Sequence, residues 1–141
     1  MEIVIATHAG LADGLVSACS MICGKENLRK LHVLSLQEDG RGIAEFEEQA
    51  EALAVKLKGM SILILTDLFG ATPANVCLRR FQRETHRIIS GVSLPCLLEA
   101  VLNSSAENVD KLAAQVLQAG MDGLRKFHFE GTMEEEEDIF V

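Results

Sequence analysis

The sequence contains no tryptophan, no tyrosine and only two prolines. No run approaches the ~20 apolar residues that a membrane-spanning helix requires. Acidic residues outnumber basic ones by 21 to 13, and five of the acidic side chains form the run 134–138. Without those five charges the formal net charge of −8 falls to −3, so the body of the chain lacks the basic excess that nucleic-acid binding requires. These absences argue against a membrane span and against a nucleic-acid partner.

The four cysteines have neither CxxC spacing nor the density of a disulfide scaffold. They are Cys19, Cys23, Cys77 and Cys96. Each lies among apolar residues, where a free cysteine behaves as a small buried hydrophobe. The first ten residues, MEIVIATHAG, lack the basic leader of a signal peptide and begin directly with a strand pattern. We therefore expect reduced core cysteines in a cytoplasmic protein.

Short apolar runs alternate along the chain with longer segments of helical periodicity. The strand predictions are residues 2–7, 31–36, 61–66 and 87–92, with a short last strand at 126–130. The helix predictions are residues 11–23, an apolar stripe from Ile43 to Leu57, a helix opened by Thr72-Pro73, a helix from Pro95 to Leu102 and a helix after a capping box at Ser104 and Glu107.

This alternation predicts an α/β three-layer sandwich, with a mostly parallel central sheet and helices on both faces. The predicted strand order is 2-1-3-4, and residues 126–130 would add an antiparallel edge strand. We expect a single domain over residues 1–133, followed by an acidic C-terminal tail over residues 134–141.

In such folds ligands bind at the carboxyl ends of the strands, where the strand order reverses. Residues 7–10 follow strand one and residues 67–73 follow strand three, so His8 and Asp67 are expected to leave neighbouring strand ends. A carboxylate that accepts the Nδ1–H of an imidazole fixes the tautomer and leaves Nε2 with a free lone pair. That arrangement is typical of an oriented nucleophile.

Two helix N-termini flank this pair, one after Gly10 and the other at Thr72-Pro73. Their exposed backbone amides and positive dipole ends suit an anion. Gly70 would permit close backbone approach, and the Thr72 hydroxyl could cap its helix or bond a phosphate oxygen. These residues predict a histidine that receives a phosphoryl group. Taken singly, each also has an ordinary interpretation as a loop, turn or helix-start residue, and the residue pattern leaves both interpretations open.

Three motifs carry a resemblance to a known family. They are ATHAGLADGL, TDLFGATPAN and ISGVSLPCLLEAVL, in this order over residues 1 to 103. They resemble the enzyme IIA component of the mannose/fructose/sorbose family of the bacterial phosphoenolpyruvate-dependent sugar phosphotransferase system. The resemblance implies that His8 is phosphorylated, that Asp67 orients it, and that Thr72 supplies a hydroxyl beside the site.

The resemblance also implies partners. The donor would be the histidine-containing phosphocarrier protein and the acceptor a IIB component, which we expect to be a separate chain. The membrane IIC/IID permease would be contacted only indirectly, and the protein would be cytoplasmic or peripheral to the permease complex. The family commonly forms homodimers, and the chemistry requires no metal and no cofactor. The transported sugar is not identified, because a IIA component does not contact sugar.

Two positions depart from the family pattern. Ala71 stands where the family usually has a second glycine, and Ser93 stands where it commonly has asparagine. Ala71 is tolerable if its φ is negative, because only glycine enters the left-handed region freely. Ser93 can still donate a hydrogen bond. We expect Asn75, on the helix after Pro73, to cap that helix or contact the site.

The remaining histidines, and other functions, have less support. His32, His86 and His128 lack metal-ligand spacing, so we interpret them as structural or surface residues. A phosphocarrier subunit of a dihydroxyacetone kinase also uses an N-terminal histidine, but with a different central motif. A receiver-like module would be phosphorylated on Asp67 and would need an acidic pair where Thr7-His8 stand. A regulatory domain without transfer activity is a further alternative.

Overall fold

The structure, a computed structural model, describes residues 1–39 and 41–129. The four strands are β1 (Glu2–His8), β2 (Leu31–Leu36), β3 (Ile62–Thr66) and β4 (His86–Ser90). The five α-helices are α1 (Leu11–Cys23), α2 (Gly42–Lys56), α3 (Thr72–Arg80), α4 (Leu94–Leu102) and α5 (Val109–Asp122), and a single 3-10 turn (Lys25–Leu28) follows α1. Within the described residues, no helix combines the length and the apolar character needed to cross a bilayer.

The four strands form one parallel sheet in the order β2-β1-β3-β4. In the register, Ile5 of β1 lies between Val33 of β2 and Leu65 of β3. All five residues of β3 are buried, because the strand is central and helices cover both of its faces. The predicted α/β sandwich and the predicted strand order are therefore confirmed.

Alternate residues of the strands point into two separate cores. Ile3, Ile5, Leu63 and Leu65 pack with α1, α4 and α5 on one face of the sheet. Val4, Ala6, Ile62 and Ile64 pack with α2 and α3 on the other face. Buried cysteines complete these cores, and burial raises the pKa of the Cys19 and Cys77 thiols to about 12.

The predicted antiparallel edge strand is absent from the described part of the chain. After α5 the backbone is irregular through residue 129, and Leu124, Phe127 and Phe129 are exposed. A strand requires a neighbour that pairs its backbone groups, and in the single chain these residues run free of the sheet. Residue 130, the end of the predicted domain and the acidic tail 134–141 lie outside the described residues.

Three predicted element boundaries are wrong by a few residues. The cap of α5 is Asn108, whose side chain accepts the Lys111 N–H at 2.8 Å, so Ser104 and Glu107 form no capping box. Thr72 is the first residue of α3 and not its cap. Strand β4 ends at Ser90 because Gly91 takes a φ of +88° and turns the chain.

Candidate functional site

His8 and Asp67 meet at the carboxyl edge of the sheet. Strands β1 and β3 are neighbours, with Ala6 opposite Thr66, so both residues emerge at the same end. The Nδ1 atom of His8 lies 2.8 Å from Oδ2 of Asp67, and the backbone N–H of His8 donates to the same oxygen at 2.9 Å. The other oxygen, Oδ1, accepts the N–H of Leu68 at 3.0 Å. Both the ring and the backbone of His8 are therefore held by one carboxylate.

The charge state of Asp67 shows which nitrogen of the His8 ring faces it with a proton. Burial acts to raise the pKa of Asp67, but the hydrogen bonds from the backbone and ring of His8, together with the charge of that ring, outweigh burial and lower the pKa. An ionised carboxylate only accepts hydrogen bonds, so the Nδ1 atom that faces it carries a proton, and in the neutral form of the ring the free lone pair is on Nε2. The side chain of Asp67 is 12% exposed and that of His8 is 45% exposed. The arrangement presents Nε2 as a nucleophile.

The loop from β3 to α3 has two features that shape the space beside this pair. Gly70 has a φ of +75°, which glycine adopts without strain. The side chain of Asn75 donates from Nδ2 to the Gly70 carbonyl at 2.9 Å, so it holds the loop in place. Ala71 has a φ of −88°, which meets the condition for replacing glycine there. Thr72 follows as the partly buried first residue of α3.

The N-terminus of α1 contributes in a more limited way. Gly10 precedes the helix, is exposed and has a φ of −85°. The amide of Ala12 already donates to the Thr7 hydroxyl at 2.9 Å, so it is not available to an anion. The acidic Asp13 also lies in the first turn. The N-terminus of α3 has no acidic residue in its first turn. It is therefore electrostatically better suited to a phosphate than the N-terminus of α1.

Three apolar side chains that are close in sequence to His8 or Asp67 are exposed. Leu68 and Phe69 follow Asp67 directly, and Phe69 is 88% exposed. Leu11, at the start of α1, is also exposed. Contiguous exposed apolar patches rimmed by polar residues are typical of protein–protein contact sites. We refer to Leu11, Leu68 and Phe69 as the apolar rim.

The model of the fructose IIA component of the phosphotransferase system matches residues 2–117. The chain belongs to this IIA family. It is similar to the sorbose-specific EIIA component of Lacticaseibacillus casei, with 27% identity over 119 residues that cover 84% of each chain.

Solved structures of IIA proteins are also similar to this chain. The mannose/sorbose-specific IIA subunit from Enterococcus faecalis is 25% identical with a TM-score of 0.82, covering 94% of this chain and 98% of its own. The EIIA component from Streptococcus agalactiae is 28% identical with a TM-score of 0.75, covering 89% of this chain and 96% of its own. The predicted resemblance is confirmed, and the chain is a phosphocarrier IIA component acting in sugar uptake.

The sequence drew attention to residues 7–10 as a group but indicated no individual role for Ala9 or Thr7. Ala9 has a φ of +47°, a left-handed conformation that costs a non-glycine residue about 1–2 kcal/mol. Its N–H donates to the Leu36 carbonyl at 2.8 Å, which holds the strained turn. Thr7 is fully buried beneath the same turn. Alanine and threonine are unremarkable in a sequence, so only the backbone geometry shows that they shape the site.

The other histidines lie away from the His8–Asp67 pair. His32 pairs with Glu2 at 2.7 Å, and His86 begins β4 at the opposite end of the sheet from His8. His128 is exposed.

Ser93 donates to the sulfur of Cys96 at 3.3 Å, so it does donate a hydrogen bond as expected. Across the described ranges, no three His, Cys, Asp or Glu side chains are grouped in a way that could hold a metal ion.

Proposed function

We propose that His8 is the phosphoacceptor of this IIA component. It takes a phosphoryl group from the histidine-containing phosphocarrier protein and passes it to a IIB component. The observation that carries the proposal is the double hydrogen bond from His8 to Asp67 Oδ2, which in the neutral ring places the proton on Nδ1 and the lone pair on Nε2. Asp67 has the role of orienting the ring and is not itself phosphorylated.

The chemistry requires only the side chains present. Nε2 attacks the phosphorus of the donor phosphohistidine, a new N–P bond forms, and the electron pair of the broken N–P bond returns to the donor nitrogen. The proton on Nδ1 stays in place, so the phosphorylated ring carries a positive charge opposite the Asp67 carboxylate. Transfer of this kind depends on positioning and electrostatic stabilisation.

The phosphoryl oxygens would be held by the loop between β3 and α3. Thr72 supplies a hydroxyl and a backbone amide at the helix start, and Ala74 supplies another amide, whereas Pro73 between them has no N–H. Gly70 keeps the loop in its left-handed turn, and Gly10, which has no side chain, precedes the neighbouring helix α1. Helix N-termini commonly bind phosphate in this way.

The apolar rim is proposed to dock both protein partners. Donor and acceptor must each bring a phosphorylated or receiving group to His8, and they must then dissociate. A small exposed apolar surface next to the nucleophile suits such transient contacts. The membrane IIC/IID permease would be reached through IIB only, so this component would act in the cytoplasm at the permease complex.

We also propose a homodimer that exchanges C-terminal segments. Strand β4 is at the edge of the sheet, and an exposed edge is usually covered. Beside it lies a groove of about 390 Å³ between β4, α4 and α5, lined mainly by apolar side chains that include Leu117, Met121 and Leu124. In the sequence, residues 126–130 come shortly after Leu124, and we propose that they pair with β4 of a second chain.

Labelling tests the proposed site. The protein is incubated with phosphoenolpyruvate, enzyme I and the phosphocarrier protein, and its intact mass is measured. We expect one phosphoryl group per chain, labile in acid and stable in base. His8→Ala should abolish labelling, while the matched control His128→Ala should label fully. Undiminished labelling of His8→Ala would overturn the assignment.

A further inference from the structure

Thr7 is a buried polar residue at the end of β1, directly before the proposed phosphoacceptor. Its side chain is 0% exposed. Alternation along the strand places it on the face of Ile3 and Ile5, toward α1, whereas His8 follows Val4 and Ala6 on the other face. Thr7 therefore lies beneath the site and does not face the space in which a phosphoryl group would arrive.

The Thr7 hydroxyl makes two hydrogen bonds that span the turn from β1 to α1. It accepts the N–H of Ala12 at 2.9 Å and donates to the carbonyl of His8 at 3.3 Å. The first bond fixes the first turn of α1, and the second fixes the peptide plane between His8 and Ala9. One hydroxyl thus links the helix start to the backbone of the nucleophile.

The backbone around His8 is held from three directions. Its N–H donates to Asp67, its carbonyl accepts from Thr7, and the next N–H, on Ala9, donates to Leu36. Between these contacts Ala9 is kept in the left-handed region. Strained residues persist only where the surrounding structure over-determines them, and the Thr7 hydroxyl is one of the three contacts that do so here.

We propose that Thr7 is a positioning residue for phosphoryl transfer at His8. The inference rests on the proposed function of His8. Without the hydroxyl, the His8 carbonyl loses its donor, the buried Ala12 amide loses its acceptor, and Ala9 can relax toward an unstrained φ. The Cα of His8 then shifts relative to Asp67, and displacements of about 1 Å can reduce a rate by roughly 10²-fold.

The test uses Thr7→Val, which keeps the shape of threonine and removes the hydroxyl. Single-turnover transfer from phosphorylated phosphocarrier protein is measured over a range of donor concentrations. We expect the maximal rate to fall by about tenfold or more, with the half-saturating donor concentration unchanged, because the apolar rim is intact. Thr7→Ser, which retains the hydroxyl, should restore most of the rate.

Thr66→Val is the matched control. Thr66 is equally buried at the end of the neighbouring strand, but its hydroxyl pairs with Ser90 at 2.7 Å and not with the His8 turn. Its maximal rate should fall far less than that of Thr7→Val. Equal losses in the two valine variants would show that any buried hydroxyl matters, and would overturn the specific role of Thr7.

A second readout does not depend on phosphoryl transfer. In the parent, ¹⁵N NMR of the His8 ring should show one neutral tautomer with the proton on Nδ1, and Thr7→Val should show a mixture. If Thr7→Val had the same maximal transfer rate and the same His8 tautomer as the parent, the inference would be overturned. Thr7→Cys, with a weaker donor of similar size, replaces the valine variant if that variant does not fold. An unlabelled parent would instead contradict the proposed function itself.

Discussion

At the scale of single residues, the site depends on one carboxylate that binds a ring and a backbone together. Asp67 accepts both hydrogen bonds on Oδ2 and the Leu68 N–H on Oδ1. The pair was predictable, because adjacent parallel strands end at the same edge of a sheet. The left-handed Ala9 was not predictable, because nothing in its side chain marks a positive φ.

Replacement of Asp67 by asparagine tests its orienting role. An amide can donate to Nδ1 as well as accept from it, so Asp67→Asn should lose the fixed tautomer while keeping the fold. We expect phosphorylation to slow by about 10²-fold or more, by comparison with other His–Asp pairs. The rate is measured by quenched-flow labelling, with Asp122→Asn on the exposed end of α5 as the control. A parental rate would show that Asp67 is only a turn residue.

Gly70 and Gly14 form a pair of substitutions with opposite expected signs. An added Cβ meets nothing within 4 Å at either position, so only backbone conformation differs. Gly70 has a φ of +75°, and Gly70→Ala should lower the free energy of unfolding by about 1–2 kcal/mol. Gly14 lies inside α1, and Gly14→Ala should raise it by about 0.5–1 kcal/mol. Urea titration measures both, and equal effects would refute the conformational explanation.

At the scale of elements, the strands were predictable because they are buried. The ends of the helices were less predictable because they depend on local capping. The runs that became β1 and β3 are mostly apolar, and all of β3 and the five central residues of β1 are buried, so their pattern alone was sufficient. The start of α5 depends on which polar side chain caps the helix by accepting a free backbone N–H. Asn108 caps it, and Ser104 does not. Residues 126–129 have strand-like composition, but pairing depends on a partner that a sequence does not contain.

The start of β4 contains a pH-sensitive residue. Both ring nitrogens of His86 are buried and lack a hydrogen-bond partner of good geometry among the described residues, and the ring packs edge-on against Phe81 at 5.9 Å. Burial lowers the pKa of His86, aided by the charge of Arg83, and the nearby Phe81 and Met60 carbonyls only partly oppose this effect.

Because the pKa of His86 is lowered in the folded chain, the unfolded chain binds more protons than the folded one in the pH range between that lowered pKa and the unfolded value of about 6.5. His86 therefore contributes a loss of stability as the pH falls through that value. His86→Phe should flatten the change in the urea midpoint between about pH 7.5 and pH 5.5, whereas His128→Gln, at an exposed position, should leave it as in the parent. An unchanged slope in His86→Phe would contradict the assignment.

At the scale of the whole molecule, the parallel sheet leaves an edge at β4 that the described chain does not cover with a strand. We expect a homodimer at micromolar concentration, measured by light scattering with refractive-index detection, because the chain contains no Trp or Tyr. Deletion of residues 126–141 should yield a monomer. A parent with the mass of one chain would refute the dimer, and a dimer that survives the deletion would refute the segment exchange.

The central claim is that the fold presents one nitrogen, Nε2 of His8, to the phosphoryl donor. NMR of the ¹⁵N-labelled, phosphorylated protein tests it most directly, because coupling to phosphorus identifies the bonded ring nitrogen. We predict a single phosphohistidine at His8 with the phosphoryl group on Nε2 and the proton retained on Nδ1. A phosphoryl group on Nδ1, or on any other residue, would contradict the account.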